Sequence, residues 1–387
     1  MSDWNRIMEG AVVLRHQLHQ EPELTWQEEG TAATIRRNLD ALGIPWRPCA
    51  RTGTVGMLAA RAPRAHIALR GDIDALPILE STGLPWSSKR NGVMHACGHD
   101  GHTATLMATA AWLKLHEDRL SGPVSLLFQP AEEGGHGAQR MIEEGALEGV
   151  DCIYGWHNWP AIPFGQAVCP DGTVMCANGT FAIHLQGRGG HASQPETCRD
   201  PVLAGAAITQ ALQQIVSRRL PPQAAAVVSV TNIIADATDT VIPEQAVVRG
   251  GIRTSTTAMR QRVEQLIDEI ACACASAHGV EARVEHSPRY GATVNHPGPA
   301  QTMRQALADT LGPACLSEAT PLPIMASEDF SYYLEVVPGA FALVGAGRPE
   351  VAASPSCHSP HYDFHDGLIP AVVACYSRLC GVEPGRI

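Results

Sequence analysis

Apolar residues recur at helical spacing through residues 3–37, interrupted at "HQEPEL", where Pro22 has no backbone N–H to donate and cannot continue a helix. Two helices joined by a turn are predicted there. The pattern then shortens. "AHIALRGDIDALP" (65–77) is a short apolar run ending in a polar loop that carries Asp72 and Asp74, and "GPVSLLFQPAEEGG" (122–135) repeats the design with Glu132 and Glu133. "CIYGWHNWP" (152–160) makes a third such segment. A helical run over 102–116 separates the first two, so strand, helix and strand alternate as in a mostly parallel sheet. Sheets of this kind collect ligands at the carboxyl ends of their strands.

The texture changes from about Phe181. A strand at 181–187, a helix at 201–220, strands at 225–230 and 246–254, a helix at 258–279 and a strand at 280–287 follow in turn. This βαββαβ order predicts a ferredoxin-like α+β unit of about a hundred residues. Strand and helix signals resume after Tyr290 and close in a helix within 357–381. The expected architecture is therefore α/β with two domains: a catalytic mixed-sheet domain from 1–178 and 291–387, interrupted by a ferredoxin-like satellite domain at 179–290.

Composition narrows the partners. The 387 residues are 45% hydrophobic, ample for a buried core, and 39 acidic against 28 basic side chains give a formal net charge of −11. That field repels a phosphate backbone, so a small molecule is expected as partner and nucleic acid is not. No uncharged apolar stretch reaches roughly eighteen residues, and the first residues lack a basic-then-apolar leader, so neither membrane insertion nor export is expected. Twelve cysteines without a C-x-x-C pair fit reduced thiols in the cytoplasm better than a disulfide framework.

The chemistry concentrates in "VMHACGHDGHTATL" (93–106), where Cys97 and His99 stand with His95, Asp100 and His102 at a Gly-containing turn. Thiolate and imidazole suit zinc-like ions, but a thiol nucleophile and a polar helix start remain open readings of this stretch. Glu132 and Glu133 point in different directions from a loop, so one can ligate a metal while the other acts as general base. Asp72 and Asp74 flank Ile73 and share a side if the chain stays extended, where one could orient a histidine through its second ring nitrogen. His157 between two tryptophans, His358 in "CHSPHYDF" and His191 on the glycine-rich loop "GRGGHASQP" gain weight only in combination. There is no G-x-S-x-G elbow, phosphate-binding G-x-x-x-x-G-K-[ST] loop or H-E-x-x-H, and "GRGGHA" lacks the strand-and-acid context of a dinucleotide site, so hydride and phosphoryl transfer lose support.

Taken in order, "RHQLHQEPEL", "LRGDIDALPI", "MHACGHDGHTATL", "FQPAEEGGHGA", "GWHNWP", "GRGGHASQPE", "ASEDFSYY" and "CHSPHYDFHD" resemble the M20 metallopeptidase family. The similarity is to its amidohydrolase branch of hippurate hydrolases, N-acyl-amino-acid deacylases and auxin-conjugate hydrolases. It implies two divalent metal ions (Zn, Mn, Co or Ni) held by Cys97, His99, Glu133, His157 and His358, with Glu132 as general base and Asp74 orienting the site. Asp72 stands where other branches carry a histidine ligand, and Cys97 where they carry a bridging aspartate. The resemblance further implies that the satellite mediates a homodimer or higher homo-oligomer, that His191 donates to the developing oxyanion, and that Arg253 binds the substrate carboxylate. Thr240 and Ala326 depart from the family's asparagine and glycine. The expected reaction is hydrolysis of an N-acyl (N-acetyl or N-benzoyl type) amino acid to a free amino acid and a carboxylic acid. Two alternatives stand beside it: a metal-independent cysteine hydrolase using Cys97, and a non-catalytic protein that clamps a ligand.

Overall fold

Helix α1 (Asp3–Gln20) stops two residues before Pro22, and α2 (Glu29–Leu42) ends at Gly43, whose φ of 64° makes the left-handed cap that glycine tolerates best. These are the two helices the spacing predicts. The computed structural model describes residues 2–348 and 354–385. They fold as two units: Met1–Val174 with Val294–Pro321 and Asp329–Ile387, and Met175–Thr293 with Leu322–Glu328.

In the first unit, β1 (Trp46–Cys49), β2 (Gly53–Leu58), β3 (Ile67–Asp72), β4 (Val124–Gln129), β5 (Cys152–Pro163) and β6 (Ala167–Val168) join the late strand Gly339–Gly347. The seven-stranded sheet has the order β1, β2, β4, β3, β5, 339–347, β6. Its centre is parallel, with β3 beside both β4 and β5 and the late strand beside β5, while β1, β2 and β6 pair antiparallel. Every residue of β4 is buried, as a central strand covered on both faces requires. Because β3, β4 and β5 run the same way, the loop after β3, the loop after β4 and the later part of β5 lie towards one edge of the sheet.

Helix α3 (His99–Leu115) is buried almost throughout and packs against α1 and the closing helix Leu368–Leu379. It begins at His99 rather than at 102, because Gly98 turns the chain at φ 93°. A Cβ there would stand 2.2 Å from Asn158 Oδ1, so the turn is closed to any larger residue.

The second unit has the strands Ala177–Gln186, Ala226–Ile234, Gln245–Thr254 and Glu281–Pro288, with helices Pro201–Leu212 and Thr257–Ala277. Its sheet has the order 226–234, 245–254, 177–186, 281–288, antiparallel throughout. Both helices pack on this sheet over a separate apolar core that includes Phe181, Ile183, Ile208, Val248, Ile252 and Leu266. The first helix is shorter than its apolar pattern suggests. Regular structure stops at Leu212, and a wider π turn, Ile215–Arg219, precedes Pro221 and Pro222.

A buried charge network ties α1 to the start of α3. Arg15 Nε donates to Asp100 Oδ2 at 3.0 Å and Nη2 to Asp363 Oδ1 at 2.7 Å, while His19 Nδ1 lies 2.8 Å from Asp100 Oδ2 and Nε2 lies 3.4 Å from Glu80 Oε2. Burial disfavours a charged His19, but Asp100 and Glu80 outweigh it and raise the imidazole to about 9. Glu80 is drawn down to about 2 against its own burial by His19, Thr82 and the Ser88 amide. His19 therefore stabilises the fold fully below its ordinary value of 6.5, and that contribution is lost as pH rises through about 9. In urea unfolding, the wild type should lose stability between these pH values and His19→Gln should lack that component; parallel profiles would refute the assignment. Asp100→Asn leaves Arg15 and His19 buried without their shared carboxylate and should cost about 3–5 kcal/mol in the same assay.

Candidate metal centre

The strand-end loops converge on the Asp74 carboxylate. Its Oδ1 accepts from the Glu132 amide at 3.1 Å, and its Oδ2 accepts from the Glu133 amide at 3.0 Å and from Thr25 Oγ1 at 2.8 Å. His99 Nδ1 lies 3.3 Å from Oδ1 and 2.9 Å from the Asp74 carbonyl. Burial would raise this carboxyl, but the hydrogen bonds and charge of His99, with the Glu133 amide and Thr25, hold it below the usual range. One ionised side chain thus fixes the Glu132-Glu133 backbone against the first turn of α3.

With Nδ1 committed to Asp74, His99 turns Nε2 inward. This atom is buried without a hydrogen bond among the described residues, and its nearest carboxylate oxygen, Asp72 Oδ2, is 3.5 Å away. Burial alone would depress His99, yet Asp72, Asp74 and Glu133 together raise it to about 10, so this space strongly favours positive charge. His157 is arranged similarly on β5. Its Nδ1 lies 2.7 Å from the Asn158 carbonyl, and its Nε2 lies 3.3 Å from Cys97 Sγ. Burial and the neighbouring His102 push His157 well below the ordinary histidine value, which keeps it neutral with a lone pair on Nε2. Two imidazoles oriented through Nδ1, each presenting Nε2, is the arrangement that metal-ligating histidines adopt.

Cys97 stands at the junction. Donor atoms of Cys97, His99 and His157 lie within 4.8 Å of one another, as do those of Cys97, Glu133 and His358, and those of His99, Glu132 and Glu133. His358 reaches in with Nε2 3.2 Å from Glu133 Oε1, from a residue at φ 67° whose amide donates to the Ala96 carbonyl at 2.7 Å. Glu133 Oε1 is buried and makes no hydrogen bond among the described residues apart from this ion contact. Glu132 is 6% exposed, and its Oε1 accepts from the Asp329 amide at 3.3 Å. The mixed sulfur, nitrogen and oxygen donors, two of them buried without hydrogen bonds, fit divalent cations.

His102 and Asp72 carry a second layer of contacts that the spacing of residues did not assign. His102 Nδ1 lies 2.5 Å from Asp72 Oδ1 and Nε2 lies 2.7 Å from Asn158 Oδ1, while Asn158 Nδ2 donates to the Tyr362 hydroxyl at 2.8 Å. Arg70 donates to Asp72 and Asp329, and Gln129 Nε2 donates to both Asp329 oxygens. Both aspartates of "GDIDALP" thus orient a histidine, Asp74 for His99 and Asp72 for His102. The i, i+3 spacing of His99 and His102 on one helix face was the available signal for the second pair. Cys357 was also missed: its thiol accepts from Asn158 Nδ2 at 3.6 Å.

Asp74, Cys97, His99, Glu132, Glu133, His157 and His358 thus meet within the first unit. His191 and Arg253 belong to the second. His191 is exposed on the short strand Gly190–His191, paired with Val241–Ile242, and its Nδ1 accepts from the Ser193 amide at 3.1 Å. Arg253 lies opposite Asn178 in the sheet, and the Arg289 amide donates to the carbonyl of that same Asn178. Burial first, and then the charge of Arg289, lower the Arg253 guanidinium from its usual value.

Residues 68–381 match the model of Peptidase family M20/M25/M40. The chain is 38% identical over 380 residues to IAA-amino acid hydrolase ILR1-like 2 of Arabidopsis thaliana, covering 96% of this chain and 85% of that protein. It is 40% identical over 338 residues to the N-acetyl-L-cysteine deacetylase of Bacillus subtilis, covering 86% and 79%. A solved Bacillus subtilis structure, described as a dinuclear metal binding peptidase from the M20 family, superposes with a TM-score of 0.84 at 32% identity, over 97% of this chain and 98% of that one. On the match of fold and sequence along almost its whole length, the chain belongs to Peptidase family M20/M25/M40.

Proposed function

We propose that the protein is a metal-dependent amidohydrolase that cleaves N-acyl amino acids, of the N-acetyl or N-benzoyl type, into a free amino acid and a carboxylic acid. The observation that carries this reading is the meeting of the Cys97, His99, His157, Glu133 and His358 donor atoms around one buried thiol, with Glu132 beside them on a backbone clamped by Asp74. The two relatives are named for an IAA-amino acid and for N-acetyl-L-cysteine, both acylated amino acids, and the similar solved structure is described as dinuclear.

Cys97, His99 and His157 would hold one divalent cation, and Cys97, Glu133 and His358 the other. When bound, such cations polarise an amide carbonyl and acidify water. Glu132 takes the proton of the attacking water and returns it to the departing nitrogen, which as an unprotonated amide ion would be a very poor leaving group. Asp74 positions both carboxylate-bearing residues of that loop by holding their amides. His191 accepts at Nδ1 from Ser193, so its neutral ring carries the proton on Nε2, ready for donation to the developing oxyanion. Arg253, with Arg289 close by, is the anchor for the substrate carboxylate.

The second unit reads as a ferredoxin-like satellite, supported by its βαββαβ succession and antiparallel order. Val227, Ile233 and Ile234 are exposed on its edge strand, which supports a role in a homodimer or higher homo-oligomer. The twelve cysteines are unpaired and no described helix is long and apolar enough to cross a membrane, in keeping with a cytoplasmic enzyme. A metal-independent cysteine hydrolase fits poorly. The hydrogen bond to Cys357, burial and Glu133 push the Cys97 thiol up, while the adjacent His157 is pushed down, so transfer of the proton between them is opposed.

Glu132→Gln should keep its metal content and lose turnover of N-acetyl and N-benzoyl amino acids by about 10²–10⁴-fold. Near-normal turnover in that variant would remove the base assignment. Protein stripped with a chelator should be inactive and recover with Zn²⁺, Mn²⁺, Co²⁺ or Ni²⁺; full activity without metal would favour the thiol mechanism, and ligand binding without turnover after reloading would favour a clamp. Asp74→Asn should weaken metal affinity or activity by about 10–100-fold, read by competition with a chromogenic chelator.

A further inference from the structure

Glu28 is a buried acid that the reaction just described leaves without a task. It occupies the N-cap position of α2, yet its side chain caps no amide of that helix. The amides that an N-cap side chain would satisfy, Gly30 and Thr31, donate instead to Glu23, at 3.1 and 2.8 Å. The Glu28 carboxylate is thereby released to reach the loop after β4. Its Oε1 accepts from the Ala131 amide at 3.0 Å and from the Trp26 amide at 2.9 Å, and its Oε2 accepts from Thr52 Oγ1 at 2.7 Å.

Ala131 immediately precedes Glu132 and holds a φ of 55°, a left-handed conformation that alanine disfavours. Its carbonyl accepts from the Gly137 amide at 3.1 Å, so the loop curls back on itself just beyond the two glutamates. The turn before α2 grips that loop at two further points. Trp26 Nε1 donates to the Gly135 carbonyl at 3.2 Å, and Thr25 Oγ1 lies 3.4 Å from the Glu133 carbonyl. A Cβ on Gly135 would stand 2.5 Å from Thr25 Cγ2 and 2.6 Å from Ala131 Cβ, so turn and loop pack closely. Three consecutive amides are thus held by two buried carboxylates: Glu132 and Glu133 by Asp74, and Ala131 by Glu28.

We propose that Glu28 is a positioning residue for Glu132: by holding the Ala131 amide it fixes the left-handed turn that sets the direction of the Glu132 side chain. The effect on turnover rests on Glu132 as general base; the grip on the loop rests on the hydrogen bonds alone. What the position requires is an acceptor at the reach of a glutamate, and not a charge. Glu28→Gln keeps that acceptor, and its Nε2 can donate to Thr52 Oγ1. Glu28→Asp keeps the charge and is one methylene shorter.

The test uses the full chain loaded with Mn²⁺, N-acetyl and N-benzoyl amino acids as probes, and turnover divided by measured metal content. In Glu28→Ala, kcat should fall by about 10²-fold while KM stays near that of the wild type. Glu28→Gln should restore most of kcat and Glu28→Asp should not. Hydrogen exchange in residues 131–137 should quicken in Glu28→Ala and Glu28→Asp, and not in Glu28→Gln, in metal-free protein as well. Unchanged kcat per metal-loaded site in Glu28→Ala, or a rise in KM alone, would make the residue merely structural and overturn the proposal. An Asp variant as active as the wild type beside an impaired Gln variant would overturn it too, because charge and not reach would then matter. If Glu28→Ala does not fold, the Gln and Asp pair decides. If Glu132→Gln keeps near-normal turnover while exchange in 131–137 quickens as expected, the base assignment falls, and with it the effect on turnover, whereas the grip of Glu28 on the loop stands.

Discussion

The Asp74 carboxylate is the constraint on which the site depends. It receives hydrogen bonds from a threonine before α2, from two consecutive amides after β4 and from the first histidine of α3. Those donors come from segments far apart in sequence, and no one of them would hold its position without the shared acceptor. A buried carboxylate this well satisfied is costly to remove, because each of its donors would be left without its partner. Its position also decides which groups face inward: with its amide tied to Asp74, Glu133 directs its side chain towards His358, and His99 turns Nε2 towards Cys97 and His157.

The charges around the site divide into two sets. Asp72 is paired with Arg70 and His102, Asp100 with Arg15 and His19, and Asp329 with Arg70 and Gln129. These acids find guanidinium, imidazole or amide donors within the fold, so their ionised forms are accounted for without a ligand. Asp74 and Glu133, by contrast, meet imidazole, hydroxyl and amide groups, with no guanidinium in hydrogen-bond contact among the described residues. Asp72, despite its own partners, and then Asp74 and Glu133 raise His99 against its burial, so the space is more stable holding a proton than empty. A divalent cation satisfies the same field more fully, which is why the donor set reads as a metal centre rather than as one more structural ion network.

Much of this was legible in the chain because local alternation governs it. The runs ending at Asp72, at Gln129 and through His157 are short and apolar, and parallel pairing brings their ends to one edge, so the carboxylates and imidazoles were bound to gather there. The contacts of His102 were not legible. Its partners Asp72 and Asn158 lie 30 and 56 positions away, and Tyr362, which completes the chain of hydrogen bonds, is 204 positions beyond Asn158. Single-residue spacing carries no record of such closures. The start of α3 was misplaced for a related reason: the polar residues 99–102 look like a loop until the tertiary structure supplies Arg15, His19 and Asp74 as partners for them.

Cys97 shows how far one position can be specified by its surroundings without being fixed by them. The hydrogen bond to Cys357, burial and nearby carboxylates all oppose a bare thiolate, so the sulfur favours a partner that shares its charge. A proton is one such partner and a divalent cation is another. The hydrogen bond from His358 to Ala96 holds the backbone from which the imidazole reaches Glu133. Because Ala96 precedes Cys97, that one backbone bond ties the position of the imidazole to that of the thiol.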